Sequence, residues 1–327
     1  MVSTTRRVAA SPFWARVSAA SIARYDRIAA DGGIAFFTRC GALLAGPWDH
    51  PFIRSAGDTC RAESLPAEVL DGSALADRFP VFDFGDEHIG YYEPDTGHIS
   101  PRRLVAAQTA AARRHGAEVV AAIVSGLDQT PQGVAVSTDA GPVAADAALI
   151  ATGAMTDYLS PRPPRQRVYA RTASLFEVTP AEAARLTAMP SLLFRTDSPS
   201  EPYLLPPIRY PDGRLYLKLG GEPEDVPLHT PEAIGDWFRS GGDPAVRDFQ
   251  EAMIRRLMPD LAIESISMIA CATMFTDSGF PVIDRVSERI AVASGGNGQG
   301  AKCSDELGRL GAHVVTGGEI PQNTRFH

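Results

Sequence analysis

The chain has 327 residues, of which 44% are hydrophobic and 21% charged, and its formal net charge is −8 at pH 7. These proportions are typical of a soluble globular protein large enough for two domains. The negative charge argues against nucleic acid and anionic membrane surfaces as partners, which leaves small polar molecules. No apolar run has the length of a membrane helix, and no apolar segment follows Arg6 and Arg7 as it would in a signal peptide.

The first part of the chain combines one clear helix with a less regular region. Pro12 opens the predicted helix, with Ser11 as its N-cap, and the glycines at 32–33 end it. Residues 34–44 are predicted to form an apolar strand pair. Residues 46–80 are rich in proline, glycine and charge, which predicts a surface excursion with one short helix.

A second helix is predicted over residues 101–115. Strand-like runs follow at 118–124, 133–138 and 143–151, and the turn residues 139–142 join the last two as a hairpin. The helix, the hairpin and the final apolar strand are expected to form one compact unit.

Residues 160–290 have a different character, because short strands joined by tight turns replace the earlier pattern. An antiparallel sheet is predicted here. Its strands are expected at 191–196, 202–209, 214–219 and 263–275, and two helices are expected to begin at Pro231 and Pro244.

A glycine-rich turn near the C-terminus joins a short apolar strand, 290–293, to a helix that starts near Ala301. The glycines between Gly295 and Gly300 let the backbone approach a ligand closely, and the helix behind them presents unpaired N–H groups. This geometry suits an anion or a group that becomes anionic. The turn is not a dinucleotide fingerprint, because Cys303 stands where the third glycine belongs. A tight strand-to-helix turn without a ligand is the alternative.

The four cysteines are Cys40, Cys60, Cys271 and Cys303. They are far apart, and none belongs to a C-x-x-C pair or a Cys/His group, so neither a zinc site nor a disulfide framework is indicated. A reducing, cytoplasmic setting is therefore expected.

Five stretches, in this order and spacing, together resemble a known family. They are Tyr92–Pro101, Ala148–Ala154, Leu217–Gly220, Cys271–Asp284 and Gly295–Ser304. The family is the FAD-dependent amine oxidases of the D-amino-acid oxidase superfamily, of the monomeric sarcosine oxidase type, and the resemblance covers nearly the whole chain. The family's opening strand, GxGxxG turn and helix, which hold the FAD pyrophosphate, have no counterpart in this sequence.

The resemblance implies a mixed α/β fold with two domains. One is an FAD-binding domain of the glutathione-reductase-like type, expected to be incomplete at its N-terminus. The other is a substrate domain built on an antiparallel sheet. The expected boundaries are 1–33, 98–160 and 285–327 for the FAD-binding domain, and 34–97 and 161–284 for the substrate domain.

Lys218 alternates with Arg214 and Tyr216 along a predicted strand, so by pattern alone the three side chains form a solvated polar face. The resemblance instead implies that Lys218 lies over the flavin and helps the reduced ring react with O2, because a fixed cation stabilises charge that develops on oxygen.

Cys271 is by default a small buried hydrophobe. The resemblance implies that its sulfur forms a thioether to the flavin. Thr273 and Ser278 depart from the tyrosine and the aspartate that the family carries at these positions.

Lys302 follows the glycine turn, where a lysine opposes the helix dipole and by default faces water. The resemblance implies that Lys302 pairs with the substrate carboxylate together with an arginine near the N-terminus. Arg6 is the best match for that arginine, with Arg7 close behind. Glu222 stands in the place of a family active-site histidine, which alters the substrate pocket.

Further flavin contacts are implied for the residues around the two glycine-bearing segments, namely Gly153, Gly296, Asn297, Gly298, Gly300 and Lys302. The predicted activity is oxidation of the C–N bond of an amino acid or N-methyl amine, with O2 as acceptor and H2O2 as product. The alternative is a non-catalytic remnant that acts as a binding or scaffold protein, motivated by the missing nucleotide half-site. An NAD-dependent dehydrogenase is disfavoured, because no fingerprint glycines follow a strand.

Overall fold

The computed structural model describes residues 2–196 and 200–326. The strands are β1 Ser3–Thr5, β2 Phe37–Arg39, β3 Ala42–Pro47, β4 Glu68–Asp71, β5 His88–Glu93, β6 Gly97–Ile99, β7 Val124–Thr130, β8 Gly133–Thr138, β9 Val143–Ala145, β10 Ala148–Ile150, β11 Arg167–Val178, β12 Ser191–Phe194, β13 Tyr203–Arg209, β14 Leu215–Gly220, β15 Val226–Pro227, β16 Ser265–Phe275, β17 Val282–Arg285 and β18 Ile290–Ser294. The α-helices are α1 Pro12–Ile22, α2 Tyr25–Gly32, α3 Pro51–Ala62, α4 Gly72–Arg78, α5 Pro101–Arg114, α6 Thr156–Leu159, α7 Pro180–Arg185, α8 Pro231–Ser240, α9 Pro244–Leu257 and α10 Gly300–Val315.

Proline opens most of the longer helices, as predicted for the helices that start at 12, 101, 231 and 244. Its missing N–H costs nothing in the first turn, and its fixed φ suits a helix. The side chains of Thr179, Thr230 and Asp243 accept backbone N–H bonds ahead of α7, α8 and α9. These helix starts were therefore readable from local sequence.

The largest sheet among the described residues has the strand order β15-β11-β14-β13-β12-β3-β5-β4, with β16 also paired to β11. Its pairs are antiparallel except for β12 and β3, which run parallel. A smaller sheet, β10-β18-β17, contains the parallel pair β10–β18 and carries α10. This is the predicted mixed α/β fold with a large, mainly antiparallel sheet. The predicted domain boundaries stay a prediction.

The two faces of the large sheet differ in what covers them. On one face, called the core face here, alternate apolar residues such as Phe176, Leu204 and Leu217 pack with Ile254 and Leu257 of α9 into the main hydrophobic core. Because side chains alternate along a strand, the residues between them point to the other face. That second face, called the site face, packs against β1 at β12 and β13.

The region 46–80 is not an irregular excursion, so that prediction was wrong except for its one short helix, which is α4. It contains α3, β4 and α4, and β4 pairs with β5. Ile53 and Ala56 of α3 are buried against Leu44, while Leu75 of α4 belongs to the main core. Its proline- and charge-rich composition concealed these apolar positions.

Two further predictions need correction. The first helix is in fact two, α1 and α2, because the chain breaks between Ile22 and Tyr25. The predicted strand at 118–124 is absent apart from its last residue. Val119, Val120 and Ile123 are exposed, and among the described residues no strand pairs with residues 118–123. Apolar residues form a strand only where a neighbour takes their hydrogen bonds. In contrast, the predicted hairpin between β8 and β9 is confirmed.

In the part of the chain described, no helix combines the length and the apolar character needed to cross a membrane.

Candidate active site

The site face of the large sheet carries Lys218 and Cys271. Leu217 and Leu219 belong to the main core, so Lys218 between them points to the opposite face. In the register, Lys218 lies opposite Leu175 of β11, and Cys271 lies opposite Arg171 of the same strand. Residues directly paired across a sheet share a face, and Leu175 and Arg171 are an even number of residues apart, so Lys218 and Cys271 share this face.

Lys218 is only 3% exposed, so the solvated polar face suggested by its pattern is wrong. Its Nζ donates to the carbonyl oxygen of Val2 at 3.0 Å and lies 5.1 Å from the ring centroid of Tyr203. Burial lowers the pKa of Lys218, while the nearby Cys271 and Glu222 act in the opposite direction. The ammonium is therefore held between β1 and the sheet.

Cys271 is partly buried beside this lysine. Burial raises the pKa of its thiol, and the charge of Lys218 opposes that rise. The indole N–H of Trp237 donates to the Cys271 carbonyl at 2.7 Å, which anchors α8 to β16. On the same face, the hydroxyl of Thr273 is buried and has no hydrogen-bond partner in the described structure. A buried hydroxyl without a partner is costly, so this position suits a bound group.

Glu222 follows β14 and turns back onto β11. One carboxylate oxygen accepts the backbone N–H of Thr172 at 2.9 Å, and the other lies 3.5 Å from Nε of Arg171. Burial raises the pKa of Glu222 to about 7, although the Arg171 charge acts to lower it. This carboxyl group can therefore take up or release a proton near neutral pH.

Arg6 and Lys302 come together from the two ends of the chain, one just after β1 and the other in the first turn of α10. Both are 5% exposed. Burial lowers the pKa of Lys302 to about 8, and the charge of Arg6 acts in the same direction. The Lys302 ammonium donates to Gln299 Oε1 at 2.9 Å. Lys302 is thus not the water-facing lysine that its position predicts by default.

Arg7 points elsewhere. Its Nε lies 2.8 Å from a carboxylate oxygen of Glu93, and its guanidinium also pairs with Asp95. Arg6 instead donates to the carbonyl of Val8 and keeps a buried Nε without a partner in the described residues. Of the two neighbouring arginines, Arg6 is the one beside Lys302.

The glycine turn brings backbone N–H groups to the same region. Asn297 and Gly298 have φ of +46° and +70°, and the Asn297 N–H donates to the carbonyl of Met274 at the end of β16. Behind the turn, α10 begins at Gly300 with no side-chain cap. Its first N–H groups therefore have no intrahelical partner and attract negative charge.

Gly153 lies next to this turn, at the end of β10. Its φ is +58°, and its carbonyl accepts from the Ser294 hydroxyl at 3.3 Å and from the Gln166 amide at 3.0 Å. A Cβ at Gly311 would lie 3.1–3.2 Å from the Leu149 and Ala293 side chains, so this glycine lets α10 pack closely on β10 and β18. Close packing places the start of α10 beside Gly153 and the turn.

Two side chains of the site face and one compositional signal were not predicted from the sequence. Arg195 follows β12 and Tyr203 lies on β13, both on the site face. The ring of Tyr203 occupies space that a Cβ at Gly220 would enter, at 2.4 Å. The compositional signal is that the chain has only two lysines, Lys218 and Lys302, against 29 arginines.

Within the described ranges, no group of His, Cys, Asp and Glu is arranged to hold a metal ion.

The chain is similar to several known oxidoreductases in sequence. It is 24% identical over 293 residues to N-methyl-L-tryptophan oxidase of Yersinia pestis (strain Pestoides F), covering 89% of this chain and 76% of that protein. It is 28% identical over 147 residues to the enzyme of the same name from Salmonella arizonae, covering 45% of this chain and 40% of that protein. These matches thus span only part of each relative.

Solved structures share the fold. Glycine oxidase from Geobacillus kaustophilus has a TM-score of 0.75 at 19% identity, over 99% of this chain and 84% of that chain. L-proline dehydrogenase from P. horikoshii has a TM-score of 0.77 at 17% identity, over 98% and 84%. The family model "DAO: FAD dependent oxidoreductase" matches residues 1–314. The chain therefore belongs to the DAO family of FAD-dependent oxidoreductases.

Proposed function

We propose that the chain oxidises the C–N bond of an amino acid or N-methyl amino acid, with O2 as the electron acceptor and H2O2 as the product. This proposal rests on the positions of the two lysines of the chain, Lys218 and Lys302. Lys218 contacts the start of β1, while Lys302 and Arg6 lie near its end, and all three are buried. Buried cations are costly unless they have a counter-charge, so their concentration here favours an anionic substrate and a reaction that develops negative charge.

The residues present fit the ring end of FAD. A flavin ring with polar edges would give a partner to the Thr273 hydroxyl, which has none among the described residues. It would also suit the uncapped start of α10 and the positive-φ backbone at 297–298. The residues proposed to hold it are Cys271, Gly153, Gly296, Asn297, Gly298, Gly300 and Lys302. When bound, FAD accepts a hydride equivalent from the carbon next to the substrate nitrogen. Cys271 is the proposed site of a covalent bond to the cofactor.

Arg6 and Lys302 are proposed to hold the substrate carboxylate. The guanidinium offers a planar pair of donors and the ammonium a compact charge, and together they fix both the position and the orientation of a carboxylate. Fixing this end also fixes the α-carbon, which is how positioning lowers the barrier. Because the pKa of Lys302 is about 8, the clamp carries its full charge below that pH.

Glu222 is proposed to hold a proton beside the substrate nitrogen. Its pKa of about 7 lets it accept a proton from a substrate ammonium near neutral pH. Lys218 is proposed to stabilise the negative charge that develops on O2 as it is reduced, because its ammonium is fixed and shielded from water.

The Lys218→Met variant tests this assignment. Its reduced flavin should react with O2 about a hundredfold more slowly, whereas reduction by substrate should change less than about tenfold. Stopped-flow absorbance measures both half-reactions. Arg214→Met, an exposed position next to the same strand, is the matched control.

Equal slowing of both half-reactions would contradict the role of Lys218. The whole proposal would be contradicted, and a non-catalytic binding protein favoured, if the purified protein is mixed with FAD and is colourless after the unbound FAD has been removed. Colour that stays with the protein after acid precipitation would identify the covalent bond, and its loss in Cys271→Ser would assign the bond to Cys271.

A further inference from the structure

Arg195 is a buried arginine that the proposed reaction does not use. It is 3% exposed and directly follows β12. Leu192 and Phe194 belong to the main core, whereas Leu193 packs with the Val8 cluster on the other side of the sheet. By alternation Arg195 faces the same way as Leu193, toward the site face.

The surrounding structure holds this side chain in one place. Its guanidinium carbon lies 4.0 Å from the ring centroid of Phe52, a stacked arrangement that arginine favours over lysine. Gly46 leaves room for the stem, since a Cβ there would lie 2.8 Å from the Arg195 Cβ. The Arg195 backbone N–H donates to Ala45 at 2.9 Å. The guanidinium is therefore positioned before any ligand arrives.

Among residues 2–196 and 200–326, the charge of Arg195 is poorly compensated. Its Nη1 donates to the carbonyl of Phe194 at 3.2 Å, and its Nη2 lies 3.5 Å from the Glu201 carboxylate, whose side chain is 69% exposed. Its Nε is buried and has no hydrogen-bond partner in the described ranges. A long ion pair to an exposed carboxylate contributes little, so most of the burial cost of Arg195 is not recovered within the described protein.

Arg6 and Arg195 directly follow two strands that pack together, β1 and β12, so their charges lie on neighbouring segments and repel. Burial lowers the pKa of Arg6 to about 10, and the charge of Arg195 is the next largest cause. The charges of Glu93 and Glu201 act in the opposite direction, but more weakly than Arg195. Glu93 is shared, because its carboxylate also accepts from the Arg7 side chain and from the backbone N–H groups of Arg7 and Val8. In the part of the chain that the structure describes, the buried Nε of Arg6 and that of Arg195 have no hydrogen-bond partner. With Lys302 the two arginines make three buried cations, whereas one substrate carboxylate supplies a single negative charge.

We propose that Arg195, beside Arg6, forms a second anion subsite, and that the substrate is an amino acid whose side chain carries a second acidic group. This inference rests on the proposed function, in which Arg6 and Lys302 take the α-carboxylate. Arg195 then takes the side-chain carboxylate through its planar donor fork. A substrate lacking that group leaves Arg195 buried and unpaired, so the site discriminates against it.

The test compares two ligands of equal length that cannot react, the dicarboxylate glutarate and the monocarboxylate valerate. Isothermal titration into the FAD-loaded protein should show glutarate binding at least about tenfold more tightly. In Arg195→Met this ratio should fall to about one, while valerate affinity changes less than about threefold. Arg239→Met, an exposed arginine of α8, is the control and should leave the ratio unchanged.

A ratio that persists in Arg195→Met, or its absence from the wild-type protein, overturns the inference. The wild-type ratio decides the matter even if the variant does not fold, and Arg195→Lys, which keeps the charge without the fork, should retain part of the preference. FAD affinity is measured in parallel, since its loss in Arg195→Met would assign Arg195 to the cofactor phosphates and also overturn the inference.

The proposed function has a separate readout. Turnover of N-methylglutamate and N-methylnorvaline is compared by kcat/KM. Oxidation of both with no preference for the acidic substrate leaves the oxidase proposal intact and refutes the second subsite. Oxidation of neither refutes the oxidase proposal, while the glutarate titration still decides whether Arg195 binds an anion.

Discussion

The two faces of the large sheet are buried to a similar degree but by opposite kinds of side chain. Phe176 and Leu217 on the core face are fully buried and apolar, and burial of such groups stabilises the fold. Lys218 and Arg195 on the site face are almost as buried and are charged, so their burial costs free energy. Such a cost is tolerated where a ligand recovers it. Degree of burial therefore does not by itself identify what stabilises this fold.

The largest effect should come from the core face. Phe176→Ala removes a fully buried ring from β11 and should lower the free energy of unfolding by about 3–5 kcal/mol. Urea unfolding followed by tryptophan fluorescence measures this change. Phe238→Ala on α8, where the ring is half exposed, is the matched control. If both substitutions cost the same, the core face is not the centre of stability.

At Lys302 of α10, which lies beside Arg6, a substitution should have a large effect of the opposite sign. The pKa of Lys302 falls to about 8, so its charge costs the ligand-free fold up to about 3 kcal/mol at neutral pH. Lys302→Met should raise the free energy of unfolding by up to about 3 kcal/mol at neutral pH, and it should abolish carboxylate binding. In the wild-type protein, the cost of charging Lys302 grows as pH falls from 10.5, the ordinary pKa of lysine, to about 8. The extra stability of Lys302→Met should therefore vanish above about pH 10.5.

Urea unfolding at several pH values and titration with glutarate check this prediction. A Lys302→Met protein that is less stable than wild type at pH 7 would show that Lys302 stabilises the ligand-free fold.

A smaller effect is expected at Glu222. Its folded pKa of about 7 is above its ordinary value, so its contribution to stability is full below about pH 4.5 and is lost as pH rises through 7. Between pH 5 and pH 8 the titration of Glu222 should lower the free energy of unfolding of the wild-type protein by about 2 kcal/mol. The Glu222→Gln protein should not show this decrease. Glutamine keeps the acceptor for the Thr172 N–H. Identical pH dependence in the two proteins would contradict the raised pKa.

Arg6 and Arg7 show how little local sequence separates two neighbours, although the resemblance ranked Arg6 ahead of Arg7. The two are chemically identical and adjacent, yet Arg7 pairs with Glu93, while the Nε of Arg6 has no hydrogen-bond partner among the residues described. Glu93 is 86 residues away from Arg7 in the chain. The choice depends on how β1 pairs with β6, a long-range contact that no local pattern reports.

Local sequence determined the helix starts at proline, the hairpin at β8 and β9, and the strand-turn-helix around Gly295–Gly300, because propensity and turn chemistry act within a few residues. The ordered motifs also indicated the family. Only the tertiary structure decided that Lys218 is buried, that Glu93 pairs with Arg7 and not with Arg6, and that Arg195 lies on the site face. Alternation along a strand says which residues share a face, but whether that face meets water or protein depends on elements distant in the sequence.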